Sequence, residues 1–376
     1  MNDTTFAPTR CHISLAALQR NFARLGDPAT LMPVIKNDAY GHGLLPVARA
    51  LAKAGARRFA VGTPSEGIAL RQAGFKQGIV PLLGGMSQED WRACAAHFLT
   101  PLLADGEDLR KAKACVRHDR PFRVGVKFET GMNRLGFGQE DVPELVEYLR
   151  ANPALEPVLA LSHLACADMP EKDACSQSQL RAFAAVSERL LAVWPNMERS
   201  LANSAALLGL PAAHFDLSRP GIALYGGNPF AGTERETLGA GLEWVMSLST
   251  PVIGIRSLRA GQSVSYGHMF TAPADMTVAV VAAGYATGVP RSLSGRLEVL
   301  ARGRRVPQIG RVCMGMLMVD ASSLPGLSSA DVVWLLGGPA EDGVAPVTAQ
   351  ELADKLGTIP YEILCRFGAM NERIYD

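Results

Sequence analysis

The feature that most constrains the fold is an alternation of short apolar runs with amphipathic segments between about residues 30 and 225. The amphipathic segments carry apolar residues three and four apart, which is typical of helices. The apolar runs are nearly continuous, as in strands of a parallel sheet that is buried on both faces. They span residues 31–36, 58–63, 78–84, 99–104, 122–129, 158–164, 199–204 and 222–227.

Eight strand–helix units predict a closed (β/α)8 barrel of the TIM type. A doubly wound open sheet is the alternative, although the sequence shows no G-x-G-x-x-G after any of these runs. After about residue 237 the sequence becomes rich in β-type runs, with little helix before residues 347–357. We therefore predict a barrel domain over residues 1–236 and a mostly β domain over 237–376, with about the first 12 residues able to pack with the second domain.

Composition excludes several classes of protein. The 37 Lys and Arg residues nearly balance 36 Asp and Glu residues, which argues against a nucleic-acid binder. Apolar runs are interrupted well before the roughly 20 residues needed to span a bilayer, and the N-terminus lacks the pattern of a secretory signal. The seven cysteines include no C-x-x-C pair, so neither a disulfide framework nor a metal site is predicted. We expect a soluble cytoplasmic protein without nucleic-acid or membrane partners.

Polar residues stand where the predicted strands end, and in a β/α barrel the carboxyl ends of the strands form the active site. Four of these ends and the segment before the eighth strand carry such residues, namely Lys36, Lys127 with Glu129, His163, Asn203 with Ser204, and Arg219. A single polar strand end is commonly a helix cap or a surface contact. Several at one rim predict a pocket.

The stretch VIKNDAYGHG, residues 34–43, places Lys36 at the end of an apolar run. A lysine in this position is often a solvated strand end. A lysine shielded from water instead has a lowered pKa, and its free amine can add to an aldehyde, of which pyridoxal phosphate is the obvious example. Ser204 and the backbone at Gly221 and Ile222 could hold the phosphate, while Asn203 and Ser204 also fit an ordinary helix N-cap.

The same stretch strongly resembles the cofactor-lysine motif of the alanine racemases, pyridoxal-phosphate enzymes with a barrel and a β domain. Later segments resemble further family motifs in the same order: KFETGMNRLGF, LSHLACAD, ANSAA, SRPGIALYG, VSYGH, AAGYATGVPR, GRVCM and PYEILC. The resemblance extends over essentially the whole chain. It implies a racemase that interconverts L- and D-alanine by a two-base mechanism.

The resemblance implies that Lys36 holds the cofactor and acts on one face of the substrate. It implies that Tyr266, reaching the site from a partner subunit, is the base on the other face, so the enzyme would be a homodimer with shared sites. The implied cofactor-binding residues are Lys36, Tyr40, His163, Asn203, Ser204, Arg219, Gly221 and Ile222. The implied substrate contacts are Arg134 and the partner's Met314, and the implied entrance residues are Tyr285, Arg291, Arg311 and Asp168.

Lys127 matches a lysine that is carbamylated in many family members. The resemblance implies that such a carbamate would orient Arg134. An unmodified Lys127 paired with Glu129 is the alternative.

The chain also departs from the family pattern. Asn37 replaces a small alanine, Glu129 and Thr287 replace aspartates, Gly315 replaces an aspartate beside the substrate carboxylate, and AMNER replaces a basic C-terminal pattern. These changes leave open a racemase of broader specificity or a non-catalytic cofactor-binding homologue. A related decarboxylase is a further alternative, but its glycine-triplet phosphate loop and H-V-G-S motif are missing from the sequence.

Overall fold

The computed structural model describes residues 9–116 and 120–376. The chain forms two compact units. The barrel unit consists of Leu18–Ala39 and Leu44–Glu243, and the β unit consists of residues 9–17, Tyr40–Gly43 and Trp244–Asp376. The domain limits given above, 1–236 and 237–376, remain a prediction. Residues 1–8, which belong to the segment expected to pack with the second domain, lie outside the described residues.

The helices and strands have the following bounds. The α-helices are α1 (Leu15–Leu25), α2 (Leu44–Lys53), α3 (Pro64–Gln72), α4 (Gln88–Ala96), α5 (Gly106–Lys113), α6 (Val142–Ala151), α7 (Asp173–Leu191), α8 (Ser204–Gly209), α9 (Ala349–Leu356) and α10 (Pro360–Met370). The strands are β1 (Arg10–Ile13), β2 (Arg58–Val61), β3 (Gly78–Pro81), β4 (Leu102–Leu103), β5 (Phe122–Lys127), β6 (Leu155–Leu161), β7 (Glu198–Ser200), β8 (Met246–Leu258), β9 (Ser263–Val264), β10 (Phe270–Thr271), β11 (Met276–Val281), β12 (Glu298–Ala301), β13 (Arg304–Ile309), β14 (Leu317–Asp320), β15 (Val332–Leu336) and β16 (Glu372–Tyr375).

The strands of the barrel unit close into a ring. β2 pairs in parallel with β3, and β4, β5, β6 and β7 form a continuous parallel sheet. The Thr100 N–H donates to the Ile79 carbonyl at 2.9 Å and joins the two groups. Segments 30–34 and 216–220 complete the ring, because Val34 bridges to Ala60 in β2 and Leu31 bridges to Ser218. The predicted (β/α)8 barrel is confirmed.

One predicted strand was wrong. Residues 222–227 were expected to form the eighth strand, but Ile222–Tyr225 is a fully buried 3-10 helix. The eighth position is occupied by segment 216–220, where the Arg219 N–H donates to the Ala202 carbonyl at 2.8 Å. A short buried apolar run fits a strand and a buried helix equally well, so its periodicity could not separate the two. Arg219 therefore lies within the segment that occupies the eighth position of the barrel rather than before it.

Polar residues at the strand ends start the barrel helices. Thr63 and Glu66 form a reciprocal capping box at α3, and Ser87 and Asp90 form another at α4. The side chain of Asp105 accepts two backbone N–H groups at the start of α5. These caps satisfy backbone donors that a helix start leaves unpaired, and they fix where each strand turns into its helix.

The β unit is built on an eight-stranded sheet in the order β11-β14-β13-β12-β15-β8-β1-β16, in which β8 also pairs with β11. β1 lies between β8 and β16, antiparallel to the first and parallel to the second. The prediction of a mostly β C-terminal region is confirmed. Across residues 9–116 and 120–376, no helix has both the length and the apolar character that crossing a bilayer requires.

Candidate active site

Lys36 lies where the first barrel segment ends, next to an unusual backbone turn. The four residues from Asn37 to Tyr40 all have left-handed φ values, between 52° and 55°. Left-handed backbone is costly for non-glycine residues. Glu66 supports the turn by accepting the Asp38 N–H at 3.0 Å, and Asp38 accepts the Leu44 N–H at 2.6 Å. Four consecutive residues in this conformation indicate a segment whose geometry is imposed by the surrounding structure.

A buried arginine and a histidine lie close together at the barrel strand ends, Arg219 in segment 216–220 and His163 after β6. Arg219 is 3% exposed and donates to the Ser200 hydroxyl at 2.6 Å and the Ser162 carbonyl at 2.5 Å. Its Nη2 lies 3.3 Å from Nδ1 of His163. Because a guanidinium only donates, Nδ1 accepts and the ring proton lies on Nε2.

The electrostatic surroundings keep the His163 ring neutral. Burial, followed by the charges of Arg219 and Arg134, lowers the pKa of His163 to about 3. Burial also lowers the pKa of Arg219, to about 9, which leaves the guanidinium charged at neutral pH. The pair is thus a fixed cation that hydrogen-bonds a neutral imidazole.

Lys127 closes β5 and shares this cationic environment. The residue is only 7% exposed. Burial, followed by the charges of Arg134 and Arg219, lowers the pKa of Lys127 to about 8. Together with Arg134, Ser162 and His163 it lines a small cavity at the strand ends.

Glu129 is engaged by the loop that follows it. Its carboxylate accepts the backbone N–H of Gly131, and that of Arg134 at 3.1 Å. Burial acts to raise the pKa of Glu129, but the N–H groups of residues 131–134 outweigh it and lower the pKa. The carboxylate therefore folds the loop that carries Arg134, and its charge only partly offsets the cations around Lys127.

Ser204 and the segment after Arg219 form a cluster of hydrogen-bonding groups. The Ser204 hydroxyl accepts the N–H groups of Gly221 at 2.9 Å and Ala223 at 3.3 Å. Asn203 is the N-cap of α8, where its side chain accepts the Ala206 N–H at 3.1 Å. Ser204, Gly221 and Ile222 are all buried. A buried hydroxyl beside backbone N–H groups at helix starts is suited to bind a phosphate.

Tyr40, the last predicted cofactor contact, lies in the β unit. It is buried there, and its ring centroid is 5.7 Å from that of Tyr361. Burial, followed by Tyr361 and Cys365, raises the pKa of Tyr40. Its predicted role beside Ser204 remains a prediction.

Tyr266 and Met314 lie on connected loops of the β unit and are 72% and 62% exposed. Arg311 donates from Nε to the Tyr266 carbonyl at 3.0 Å, which ties the two loops together. The Ala286 N–H donates to the Met314 carbonyl at 2.9 Å, and this bond connects the turn that carries Tyr285 to the Met314 loop. A Cβ at Gly284 would lie 2.2 Å from the Cys313 carbonyl oxygen, so this approach needs glycine. The loops thus present a tyrosine and a methionine at the surface.

The other two residues predicted at the substrate entrance are exposed, one in each unit. Asp168 lies in the loop between β6 and α7 of the barrel unit, and Arg291 begins a single 3-10 turn of the β unit. Their role at an entrance remains a prediction.

Gln179 was not identified from the sequence. This α7 residue is 1% exposed, and its Oε1 accepts the Ala165 N–H at 2.9 Å. Its Nε2 donates to the His163 carbonyl at 3.0 Å and to the Thr130 hydroxyl at 3.5 Å. It therefore connects the loops after β5 and β6. A glutamine in an amphipathic helix is typical of a surface residue, and only its burial distinguishes this one.

In the part of the chain that the structure describes, no group of three or more His, Cys, Asp and Glu side chains is placed to hold a metal ion. The chemistry of the strand ends rests on amines, a guanidinium, an imidazole and hydroxyls.

These features define a two-unit barrel enzyme. Its strand ends carry a lysine, a neutral histidine hydrogen-bonded to a buried arginine, and a cluster of a hydroxyl and backbone N–H groups that is suited to bind a phosphate. Comparison with known proteins makes the assignment specific. The family models "Alanine racemase, N-terminal domain" and "Alanine racemase, C-terminal domain" match residues 13–229 and 245–375. The chain belongs to the alanine racemase family, so the resemblance and the enzyme class, an isomerase, are confirmed.

Individual relatives are similar to this chain over nearly their whole length. An alanine racemase of Nitratidesulfovibrio vulgaris (strain DP4) is 49% identical over 365 residues, which cover 97% of this chain and 96% of the relative. One of Lawsonia intracellularis is 41% identical, with 90% of each chain covered. The solved structure of the alanine racemase from Streptomyces coelicolor A3(2) superposes with a TM-score of 0.87 at 35% identity, covering 98% of this chain and 97% of that one.

Proposed function

We propose that the chain interconverts L- and D-alanine with pyridoxal 5'-phosphate by a two-base mechanism. The proposal rests on the position of Lys36 in a chain that is similar to alanine racemases over nearly its full length. Lys36 lies at a barrel strand end, in the charge environment of Lys127, His163 and Arg219. The model of the family's C-terminal domain matches residues 245–375, so the similarity also covers the part of the β unit that carries Tyr266.

The barrel unit fits this cofactor. The Ser204 hydroxyl and the amides of Gly221 and Ile222 would hold the phosphate, and the Gly221 amide already points at the Ser204 oxygen at 2.9 Å. Arg219 would face the pyridine nitrogen. When bound, the cofactor would supply an electron sink that acidifies the α-hydrogen of the amino acid. Because arginine keeps its proton, it would moderate that sink and limit side reactions.

Racemisation needs a base on each face of the α-carbon. The Lys36 amine would exchange a proton on one face, and the partner subunit's Tyr266 on the other. An unperturbed tyrosine has a pKa near 10, so its phenolate needs stabilisation. His163 is neutral with its proton on Nε2, and with Arg219 behind it the ring would donate a hydrogen bond toward the partner's Tyr266. The high exposure of Tyr266 within a single chain is compatible with use by a second subunit.

Arg134 and the partner's Met314 amide would bind the substrate carboxylate, and a carbamylated Lys127 would orient Arg134. Sites built in this way require a homodimer, in which each subunit completes the site of the other. We also expect the enzyme to act in the cytoplasm. A fully active monomer in sedimentation experiments would contradict the shared-site arrangement.

The decisive experiment follows L-alanine in D₂O with the cofactor-loaded protein, measuring α-hydrogen exchange and the D/L ratio together. Exchange that leads to equal amounts of both enantiomers is expected. Tyr266→Phe should lose D-alanine formation, while Tyr148→Phe, which changes a tyrosine that bonds the Leu109 carbonyl on the barrel, should behave as wild type. Retention of full D-alanine formation in Tyr266→Phe would refute the second base. Absence of exchange in the wild type would favour the non-catalytic alternative.

One observation favours a broader specificity as a second candidate. A Cβ at Gly315 would meet no atom within 4 Å beyond its chain neighbours. The residue after Met314 therefore leaves space where the family commonly has an aspartate. Racemisation of larger L-amino acids at rates comparable to alanine would support this second candidate.

A further inference from the structure

Gln179 is a buried glutamine whose side-chain amide is engaged by two loops at the barrel strand ends. The residue is 1% exposed. Its Oε1 accepts the Ala165 N–H at 2.9 Å, and its Nε2 donates to the His163 carbonyl at 3.0 Å and to the Thr130 hydroxyl at 3.5 Å. An N–H only donates and a carbonyl only accepts, so these partners fix which end of the amide is oxygen and which is nitrogen. A side chain that bridges two loops in one orientation is suited to set the distance between them.

The bond to Thr130 continues toward Arg219 through hydroxyl groups. The Thr130 and Ser162 hydroxyl oxygens are 2.8 Å apart, and the Ser162 hydroxyl donates to the Phe128 carbonyl at 2.9 Å. Because Ser162 has a single hydroxyl proton, the Thr130 hydroxyl donates to the Ser162 oxygen, and Thr130 accepts from Gln179. The Ser162 carbonyl in turn accepts the Arg219 guanidinium at 2.5 Å. These bonds connect Gln179 to the residues that hold Arg219.

The loop that carries Arg134 packs directly on Gln179. Gly131 has a φ of +133°, and a Cβ at this position would lie 3.1 Å from Cγ of Gln179, so the close approach favours glycine. The Glu129 carboxylate accepts the backbone N–H groups of Gly131 and Arg134, which ties this loop together. A shift of the loop at Gly131 would therefore carry Arg134 with it.

We propose that Gln179 is a positioning residue of the racemase, which holds Arg134 and His163 at the separation that the substrate carboxylate and the second base require. The inference rests on the proposed function, in which Arg134 binds the carboxylate and His163 donates toward the partner's Tyr266. In that arrangement Gln179 acts through the two loops. Since a displacement of about 1 Å can cost up to about 100-fold in rate, we expect loss of its hydrogen bonds to lower kcat by about 10- to 30-fold.

The test replaces Gln179 by methionine, which keeps the length of the side chain and removes its three hydrogen bonds. Propionate, which is alanine without the amino group, reports the position of Arg134 when its binding to the cofactor-loaded protein is measured by calorimetry. Gln179→Met should bind propionate about 3- to 10-fold more weakly, since outright loss of a hydrogen bond to a charged group costs roughly tenfold or more. Cofactor affinity, measured by absorbance titration, should stay close to that of wild type, because the Ser204 hydroxyl bonds other groups.

A matched control and a second variant sharpen the test. Ser187→Ala changes another buried polar residue of α7, whose hydroxyl donates to the Ala184 carbonyl within the helix, and this variant should keep wild-type propionate affinity and kcat. Thr130→Val removes the hydroxyl between Gln179 and Ser162. Its effect on propionate affinity should not add to that of Gln179→Met, because both changes break the same connection.

Wild-type propionate affinity in Gln179→Met, or an equal loss in Ser187→Ala, would overturn the proposal, as would equal weakening of propionate and cofactor binding. Additive losses in the double variant would overturn the route through Thr130. If Gln179→Met fails to fold, Thr130→Val alone decides, with weaker propionate binding expected. A wild-type protein without racemase activity would instead count against the proposed function, and the calorimetry would still decide whether Gln179 sets the position of Arg134.

Discussion

Lys127 gives the sharpest test of the electrostatics at the barrel strand ends. Burial, with Arg134 and Arg219, lowers its pKa from 10.5 to about 8. At 1.36 kcal/mol per pKa unit, holding this side chain as an ammonium ion at neutral pH costs about 3 kcal/mol as an upper bound. The sign follows from linkage: between pH 8 and 10.5 the unfolded chain binds a proton that the folded chain does not, so an unmodified Lys127 would make stability rise with pH in this window.

The same shift favours reaction with CO₂. Only the free amine reacts, and at pH 7.5 a pKa of about 8 leaves roughly a quarter of the amine free, against about 0.1% at the ordinary pKa. The product is an anion in the field of Arg134 and Arg219, which replaces repulsion by attraction. We therefore expect Lys127 to be carbamylated.

The Lys127→Met variant separates the two states because it keeps the side-chain volume and removes the charge. If Lys127 is carbamylated, the variant loses an anion among cations and should be about 1–3 kcal/mol less stable. If Lys127 is an ammonium ion, the variant should be more stable, by up to about 3 kcal/mol. Unfolding is measured in CO₂-free and in bicarbonate-containing buffer at equal pH and ionic strength, with native mass spectrometry to detect one added CO₂.

We expect bicarbonate to stabilise the wild type and to leave Lys127→Met unchanged. Lys111→Met removes a lysine that pairs with Glu107 on α5 and serves as the matched control, with a wild-type response to bicarbonate expected. A wild type insensitive to bicarbonate, together with a stabilised Lys127→Met, would refute the reasoning and establish a plain lysine.

Three further predictions address other parts of the site. Ser204→Ala removes the acceptor of two buried N–H groups, so cofactor affinity, measured by absorbance titration, should fall about tenfold, in line with about 1–3 kcal/mol for unsatisfied groups. His163 has a pKa of about 3 in the fold, so stability should fall as the pH drops from 6.5 toward 3, and urea unfolding of His163→Gln should lose part of this dependence. Gly315→Asp should leave the melting temperature within about 2 °C of wild type, because nothing lies within 4 Å of the new Cβ, while initial-rate assays should show a higher preference for alanine over larger amino acids.

The barrel could be predicted because strand–helix alternation is a long-range regularity that survives local errors. The run at 222–225 could not be assigned, since its four residues are all buried and carry no period. The left-handed turn after Lys36 also could not be predicted from the hydrophobic pattern of the sequence. Asn37, interpreted from the sequence as a departure from the family, has a structural reason there: its φ is 52°, and asparagine tolerates left-handed backbone better than alanine does.

The candidate site was predictable in its residue types but not in its hydrogen bonds. The strand ends indicated which side chains share one rim, because a barrel places those ends together. That His163 is neutral follows only from the distance to Arg219 and from burial. Gln179 is a buried polar residue that contacts two loops distant in sequence, and such contacts leave no local signature.

The departures from the family pattern differ in what the structure offers in compensation. Thr287 caps its own turn, with its hydroxyl bonded to the Gly284 N–H at 3.1 Å and carbonyl at 3.0 Å. Asn371, in the altered C-terminal segment, donates to the Thr287 carbonyl at 3.0 Å and to the Phe367 carbonyl at 2.8 Å. Two departures thus meet in one neutral hydrogen-bonded cluster and preserve the turn that carries Tyr285. At Gly315 the change instead removes a charge and leaves open space. A difference in substrate preference from other family members is therefore expected to originate at Gly315 rather than at Thr287.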